Sequence, residues 1–151
     1  QNKPCIGIST LEAMAYTMQS CEGYICCVMD ARCSQVYTAT FKCTDGKIER
    51  IYDDEAIKID ELKEKLIALN STIFLIGDGA QLCYNKFVNE IPSVRLAPFN
   101  VRSQHASGIC AAAALKPQDE WLTADKLIPS YLRLPQAQRE LMAKKALEKK
   151  A

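Results

Sequence analysis

The chain has 151 residues, a formal net charge of +1 and 48% hydrophobic residues, values that are ordinary for a folded globular domain. This composition excludes an intrinsically disordered chain, and no apolar run approaches the roughly 18 residues that a membrane-spanning helix needs. The first residues, Gln-Asn-Lys-Pro, have neither an initiator Met nor a signal-peptide pattern. We therefore expect a soluble fragment of a longer intracellular protein, with the missing part upstream.

The charge is distributed unevenly along the chain. Residues 133–151 hold six Lys/Arg against two Glu, a net charge of +4, which leaves −3 for residues 1–132. A basic tail of this kind is able to contact RNA or an acidic protein surface. A solvated terminal helix explains the same charges, so both interpretations stay open.

The cysteines indicate reduced thiols more than a metal site or a disulfide framework. No two of the eight have Cys-x-x-Cys spacing, and His105 is the only histidine, which disfavours a zinc site. Cys26 and Cys27 are adjacent in an apolar run and would point to opposite faces of a strand. Thiols that act as small hydrophobic side chains fit this pattern and favour the cytoplasm.

The first half of the chain predicts a helix followed by three antiparallel strands. Ser9 and Glu12 form a capping box ahead of apolar residues at helical spacing, which predicts a helix over about residues 10–20. An Asp-Gly turn separates the second and third strands and favours a hairpin. The strands are predicted over residues 24–30, 35–41 and 48–52.

The second half alternates helices with strands, as expected for parallel strands joined by helical crossovers. Asp60 and Ser103 are the predicted N-caps of the first and last of these helices. The last helix is rich in Ala, so we expect it to pack closely on the sheet, and we expect Trp121 to be a packing anchor and His105 to lie on a helix surface. Helices are predicted at 60–70, 80–90 and 103–115, strands at 72–76 and 94–97, and a final charged helix near the C-terminus.

From residue 24, the predicted order is strand, strand, strand, helix, strand, helix, strand, helix, which is the order of a ribonuclease-H-like unit. We predict an α/β lobe of the actin, Hsp70 and sugar-kinase superfamily, with a mixed five-stranded sheet and helices on both faces. The expected divisions are an inter-lobe helix segment at 1–22, the ribonuclease-H-like C-terminal lobe at 23–133 and a basic C-terminal helix or tail at 134–151.

Two turns of this fold concern nucleotide binding. Proteins built from two such units clasp ATP with a Gly-rich hairpin around phosphate and a Gly-rich turn beside adenosine. Gly77, Asp78, Gly79 and Ala80 follow the fourth predicted strand and resemble a vestigial adenosine turn, although a tight strand-to-helix turn explains the same glycines. The hairpin at 30–35 has no glycine, and its side chains obstruct the approach of phosphate to the backbone. We expect weak or absent ATP binding and assign no cofactor.

An alternative interpretation uses carboxylates. Nucleases of this fold hold two divalent metal ions with acidic residues at the ends of the first and fourth strands. Asp30 and Asp78 fall at those positions, and Glu61 or Glu64 is a candidate third ligand. The last predicted helix supplies no fourth carboxylate, and carboxylates at strand ends also form turns, so we assign no catalytic or metal-binding residue.

Three segments together resemble the TsaB (YeaZ) family. Residues 4–15, Pro-Cys-Ile-Gly-Ile-Ser-Thr-Leu-Glu-Ala-Met-Ala, are similar to its junction segment. Residues 30–37, Asp-Ala-Arg-Cys-Ser-Gln-Val-Tyr, are similar to its Asp-Ala-Arg-x-x-Glu-Val-Tyr hairpin, with Gln35 in place of Glu. Residues 128–133, Ile-Pro-Ser-Tyr-Leu-Arg, are similar to its Pro-Val-Tyr-Leu-Arg segment, and the three occur in the same order.

The resemblance implies the C-terminal lobe of a non-catalytic accessory subunit. TsaB-like proteins are degenerate paralogues of the catalytic subunit TsaD, and they act with TsaD and the ATPase TsaE to make N6-threonylcarbamoyladenosine in tRNA. In the family, the first lobe contacts TsaD or a second TsaB, so a homodimer is also implied. Contact with tRNA would be indirect or through the basic tail, in the cytoplasm and away from membranes. A plain protein-interaction module is the remaining alternative, and nothing in the chain supplies the protease site that an older family label suggests.

Overall fold

One mixed sheet and four helices form the part of the chain that the computed structural model describes, residues 3–133. The helices are α1 (Thr10–Tyr16), α2 (Ile59–Ile67), α3 (Ala80–Phe87) and α4 (Ala106–Ala114). The strands are β1 (Gly23–Asp30), β2 (Gln35–Thr44), β3 (Lys47–Lys58), β4 (Ile73–Ile76) and β5 (Val94–Leu96). The predicted helix near the C-terminus lies outside the described residues. Within them, no helix combines the length and the apolar character needed to cross a membrane.

The strand order of the sheet is β3-β2-β1-β4-β5. Strand β1 pairs antiparallel with β2, which pairs antiparallel with β3. On its other side β1 pairs parallel with β4, which pairs parallel with β5. The predicted α/β architecture, with three antiparallel strands extended by two parallel ones, is confirmed.

The central strand β1 separates two apolar cores because its side chains alternate between the faces of the sheet. Cys26 and Val28 pack with α2 and α3 on one face. Ile25 and Cys27 pack with α1 on the other, and all four side chains are fully buried. The predicted opposite orientation of Cys26 and Cys27 is confirmed, and so is the presence of helices on both faces.

Several element boundaries differ from the prediction, and those of α1 and β3 differ most in the first half of the chain. Helix α1 ends at Tyr16 rather than near residue 20, and hydrogen-bonded turns continue the chain beyond it. Strand β3 extends to Lys58, because residues beyond 52 continue to pair with β2. Helix α2 therefore begins at Ile59 with Lys58 at the cap position, so the prediction of Asp60 as its N-cap is wrong. The carboxylate of Glu61 instead accepts a hydrogen bond from the Lys58 N–H at 3.4 Å.

Helix α4 also differs from the prediction. It begins at Ala106, after His105 at the cap position, so Ser103 is not its N-cap. Arg102 holds the preceding loop on the sheet, because its backbone carbonyl accepts from the Gly77 N–H at 2.8 Å. The helix packs on α1 rather than on the sheet, and a Cβ atom at Gly108 would lie 2.1 Å from the backbone oxygen of Ala13. Small residues thus permit close packing, as predicted, but against a helix.

The segment after α4 is anchored by its backbone. Cys5 and Leu122 exchange two backbone hydrogen bonds, each 2.7 Å long. Trp121 is 36% exposed, so it lies outside the two apolar cores, and its role as a packing anchor stays a prediction. His105 is exposed, as predicted, at the start of α4.

Candidate functional site

The turn after β4 packs directly against the backbone of the neighbouring strand β1. Gly77 has φ +108°, and a Cβ atom at this position would lie 2.1 Å from the backbone oxygen of Val28 in β1. The Gly79 N–H donates to the same oxygen at 3.1 Å, and the Ala80 N–H donates to the Gly77 carbonyl at 3.1 Å. The close contact with β1 is by itself enough to explain why residue 77 is a glycine. The adenosine-binding role of residues 77–80 stays a prediction.

The hairpin between β1 and β2 has an unusual backbone at its tip. Arg32, Cys33 and Ser34 have φ values of 64°, 53° and 57°, all in the left-handed region. This conformation costs a residue with a side chain roughly 1–2 kcal/mol. All three side chains are exposed, so the strain lies in the backbone and not in a steric clash with the core.

Hydrogen bonds within the hairpin engage its backbone amides. The Arg32 N–H donates to Asp30 Oδ1 at 2.7 Å. The Ala31 N–H donates to the Gln35 carbonyl at 3.0 Å, and the Gln35 N–H donates to the Arg32 carbonyl at 3.1 Å. These three amides are therefore not free to bind an anion, and the predicted crowding by side chains is accompanied by an internal network.

The two carboxylates proposed for a metal site lie on neighbouring turns. The backbone N–H of Asp30 donates to Asp78 Oδ1 at 3.2 Å, so the structure brings these residues together. Glu61 is bonded to the start of α2, and neither it nor Glu64 joins them in a cluster. Within residues 3–133, no group of three His, Cys, Asp or Glu side chains is arranged to hold a metal ion. Asp30 and Asp78 act here as turn-forming hydrogen-bond acceptors.

The three segments that carry the family resemblance meet around one cavity of about 870 Å³. We call this cavity and its walls the motif groove. Arg133 reaches across it and donates to the backbone carbonyl of Ala31 at 2.8 Å, which connects the last described segment to the hairpin. Ile128 and Tyr131 on its outer wall are 80% and 82% exposed. The groove is lined by residues 7–11, Met29, Tyr37, Asp54 and 127–133.

A network of charged side chains lies beside the motif groove and reaches its lining at Ser9 and Asp54. Glu12 accepts from Lys116 at 2.9 Å and from Arg50 at 3.4 Å. Arg50 also pairs with Asp54, which accepts from the Ser9 hydroxyl. The hydrogen bond to Glu12 raises the pKa of Lys116 above its usual value. The network therefore joins α1 to β3 and to the residues that follow α4.

The sequence predicted only part of this network. Ser9 accepts from the Glu12 N–H at 3.3 Å, as the capping box requires. The Glu12 carboxylate, however, binds Arg50 and Lys116 instead of turning back to Ser9. Arg50 and Asp54 are four positions apart, and residues separated by an even number of positions lie on the same face of a strand. This spacing was the one sequence signal that could have brought them together. Lys116 follows the end of α4 and gave no such signal.

Comparisons with known proteins identify relatives of this chain. The family model described as TsaD, tRNA N6-adenosine threonylcarbamoyltransferase, matches residues 1–140. The tRNA threonylcarbamoyladenosine biosynthesis protein TsaB of Bacillus subtilis (strain 168) is 24% identical over 135 residues, which are 89% of this chain and 58% of the relative. The predicted resemblance to TsaB is thus confirmed over most of this chain.

Solved structures show the same fold. YeaZ from Pseudomonas aeruginosa superposes with a TM-score of 0.63 at 17% identity, over 86% of this chain and 60% of that one. A second structure, described as an uncharacterized protein with similarity to peptidase YeaZ from Pseudomonas aeruginosa, gives 0.66 at 18% identity, over 87% and 60%. The ribonuclease-H-like fold is confirmed. The chain spans about three-fifths of the length of these relatives.

Proposed function

The chain belongs to the family described as TsaD, tRNA N6-adenosine threonylcarbamoyltransferase, and we propose that it is a lobe of a TsaB-like accessory subunit in the complex that makes N6-threonylcarbamoyladenosine in tRNA. The family match over residues 1–140 and the similarity to the Bacillus subtilis protein support this role. Its site of action is then the cytoplasm, and its partners are a TsaD-like catalytic subunit and a TsaE-like ATPase.

The hairpin between β1 and β2 carries the proposal that the role is accessory and not catalytic. A backbone that binds phosphate needs free N–H groups and little side-chain bulk. Here the amides of Ala31, Arg32 and Gln35 bond within the hairpin, and side chains occupy every tip position. The turn at 77–80 is similarly engaged with β1 and the Arg102 carbonyl. On these grounds ATP binds weakly or not at all, and the turn is a structural relic.

Calorimetry tests this part of the proposal. Titration of the protein with MgATP is expected to give no saturable heat at micromolar concentrations. Saturable micromolar binding would contradict the proposal. The catalytic TsaD-like subunit from the same source, titrated under identical conditions, is the reference that shows the assay detects a bound nucleotide.

The motif groove supports a second element of the proposal, a two-lobed protein. The walls of the groove include exposed apolar side chains at Ile128 and Tyr131, and exposed apolar surface of this kind indicates a covered interface. The relatives are longer than the part that this chain matches. We propose that residues 1–22 are the inter-lobe segment, that 23–133 form this lobe, and that the groove faces a first lobe which contacts TsaD or a second TsaB. Contact with tRNA is then indirect or through the basic tail at 134–151.

Co-purification tests the partner assignment. A tagged form of the longer protein that includes a first lobe is expected to retain the TsaD-like subunit, whereas the present chain retains little. Ile128→Asp in the longer protein should weaken retention if the groove positions the first lobe, and Ile67→Asp, an exposed position on α2, is the matched control. If the longer protein retains no TsaD-like subunit, the chain is an interaction module unrelated to tRNA modification.

A further inference from the structure

Helix α4 presents an apolar surface on the side that faces away from α1. Only Gly108 and Ala112 of this helix are buried, and they lie on the side that packs on α1. Its outer side has no cover among the described residues, although a helix that is apolar all round is normally buried. We call the outer side the α4 face, and its residues are Ala106, Ile109, Cys110, Ala113 and Ala114.

The charge of α4 differs from that of α2, a helix of the same length. Helix α2 contains five charged residues, whereas residues 103–115 contain no Asp, Glu, Lys or Arg. Ile67 on α2 and Ile109 on α4 have nearly equal exposure, 44% and 41%, but only Ile67 lies among charged neighbours. The composition of α2 therefore suits a solvated helix, and that of the α4 face suits a contact surface.

The two ends of α4 carry opposite charges. Before the helix, the guanidinium of Arg102 bonds to a backbone carbonyl and forms no ion pair among the described residues. The N-terminal end of a helix is itself partly positive. After the helix, Asp119 and Glu120 are exposed, while the charge of Lys116 is paired with Glu12 at 2.9 Å. Two copies of α4 in antiparallel orientation would therefore attract each other at both ends.

We propose that the α4 face is a contact surface between two copies of this chain, related by a two-fold axis that crosses the middle of the helix. Such an axis makes the two helices antiparallel and pairs the same surface with itself. The absence of charge on the face removes like-charge repulsion between the copies. Cys110 is the middle residue of α4 and lies opposite Gly108 and Ala112 on the helix, so the axis brings the two Cys110 side chains together.

Two other occupants fit the α4 face less well. Residues 134–151 contain five Lys/Arg and two Glu, and the α4 face offers no carboxylate to pair with them. The additional part of the longer relatives is assigned above to the motif groove, where Ile128 and Tyr131 are 80% and 82% exposed. Contact between two α4 faces needs no first lobe, and it therefore goes beyond the function proposed above.

Thiol cross-linking tests the geometry of the contact. The full chain is treated with a bis-maleimide whose spacer spans about 8 Å, because the axes of packed helices are about 8–10 Å apart. The expected product is a covalent dimer linked through Cys110, identified by peptide mass mapping. Cys110→Ser should abolish this dimer, although the exposed Cys33 and the half-buried Cys5 and Cys21 remain available. The proposal is overturned if no covalent dimer forms or if another cysteine forms the link in place of Cys110.

Sedimentation equilibrium measures the strength of the contact without a covalent link. One side of a nine-residue helix is smaller than a standard interface, so we expect a weak dimer with a Kd of about 10–100 μM. Ile109→Asp should raise this Kd roughly tenfold or more. Ile67→Asp is the matched control and should leave the Kd unchanged, and circular dichroism shows whether both variants keep the fold. Equal effects of the two substitutions would contradict the proposal.

The same measurements distinguish the other two occupants. A full chain that stays monomeric at about 100 μM would indicate that residues 134–151 cover the α4 face. The longer protein that includes a first lobe is expected to cross-link through Cys110 as the present chain does. If the link forms in the present chain and not in the longer protein, the additional lobe covers the face. Either result would overturn the proposal.

Discussion

Two turns at the same end of the sheet, one after β1 and one after β4, have residues with positive φ, but they use different residue types. The hairpin after β1 uses Arg32, Cys33 and Ser34, all of which have side chains. The turn after β4 uses Gly77, which has none. The difference is contact, because the hairpin side chains extend into solvent whereas a Cβ atom at Gly77 would collide with the Val28 carbonyl. A positive φ alone does not demand glycine, but a positive φ against a neighbouring backbone does.

The strain at the hairpin tip is offset locally. Asp30 accepts from the Arg32 amide, and Arg133 binds the Ala31 carbonyl from the far wall of the motif groove. The turn after β4 needs no such support, because it is held by direct backbone bonds to β1. The turn after β4 is thus stabilised by backbone hydrogen bonds and the hairpin tip by polar side chains, and substitutions separate the two contributions.

The largest expected effect is that of Gly77→Ala. The added Cβ would lie 2.1 Å from the Val28 oxygen and would hold a side chain at φ +108°, so both the contact and the backbone are unfavourable. We expect a loss of roughly 3 kcal/mol or more in the free energy of unfolding, measured by urea denaturation.

Gly46→Ala is the matched control for that substitution. Gly46 also has a positive φ, +72°, but the nearest atom to an added Cβ is the Gln19 oxygen at 3.8 Å. Its loss should be about 1 kcal/mol, from backbone strain alone. Equal losses for the two variants would show that contact with β1 does not distinguish them.

The second effect is that of Arg133→Ala, which removes the bond to the Ala31 carbonyl. A partly buried hydrogen bond from a charged group contributes about 1–2 kcal/mol, so the free energy of unfolding should fall by that amount. Amide hydrogen exchange should accelerate in the hairpin and remain unchanged in the turn at 77–80. Arg133→Lys keeps the charge without the planar guanidinium and should recover only part of the loss, whereas full recovery would assign the effect to charge alone.

The sequence predicted the fold well because strong periodicity and turn residues agreed with one another. Strand β1 was predicted from a short apolar run, and its two faces are both buried. The start of helix α4 was predicted too early, because serine is a residue type that favours the N-cap position. In the structure the neighbouring Arg102 carbonyl is bound to the turn after β4, and the helix begins only at Ala106. Local propensity carries no information on such a tertiary bond.

The candidate site was less predictable. The absence of glycine in the hairpin was visible, but the left-handed conformation of Arg32, Cys33 and Ser34 was not, since these residues rarely adopt it. The motif groove depends on Arg133 meeting Ala31, two residues 102 positions apart in the chain. In the sequence, only the resemblance to one family singled out both of these segments, and it did not predict that they would be in contact.

The third effect is that of Asp78→Ala, which breaks the link between the two turns. Asp78 Oδ1 accepts from the Asp30 N–H at 3.2 Å in an exposed position, so the expected loss is about 0.5–1 kcal/mol. Asp78→Asn retains an acceptor oxygen and should restore most of the stability. If the Asn variant is as unstable as the Ala variant, the negative charge of Asp78 matters more than its hydrogen bond.

The smallest expected effect is a gain. Cys33→Gly removes the cost of a side chain in the left-handed region, about 1 kcal/mol, but increases the freedom of the unfolded chain by a similar though smaller amount. The net gain should be roughly 0.5 kcal/mol, and Cys33→Ala, which keeps a Cβ at the same φ, should show none.

The same Cys33→Gly variant separates two reasons why the hairpin would fail to bind ATP. Glycine removes side-chain bulk at the tip, while the amides of Ala31, Arg32 and Gln35 remain bonded within the hairpin. If MgATP still gives no saturable heat with this variant, the Cys33 side chain is not the obstacle, and the bonded amides or the remaining Arg32 and Ser34 side chains prevent a phosphate cradle. If binding appears, side-chain crowding was the obstacle, and the hairpin retains more of an ancestral nucleotide site than its bonded amides indicate.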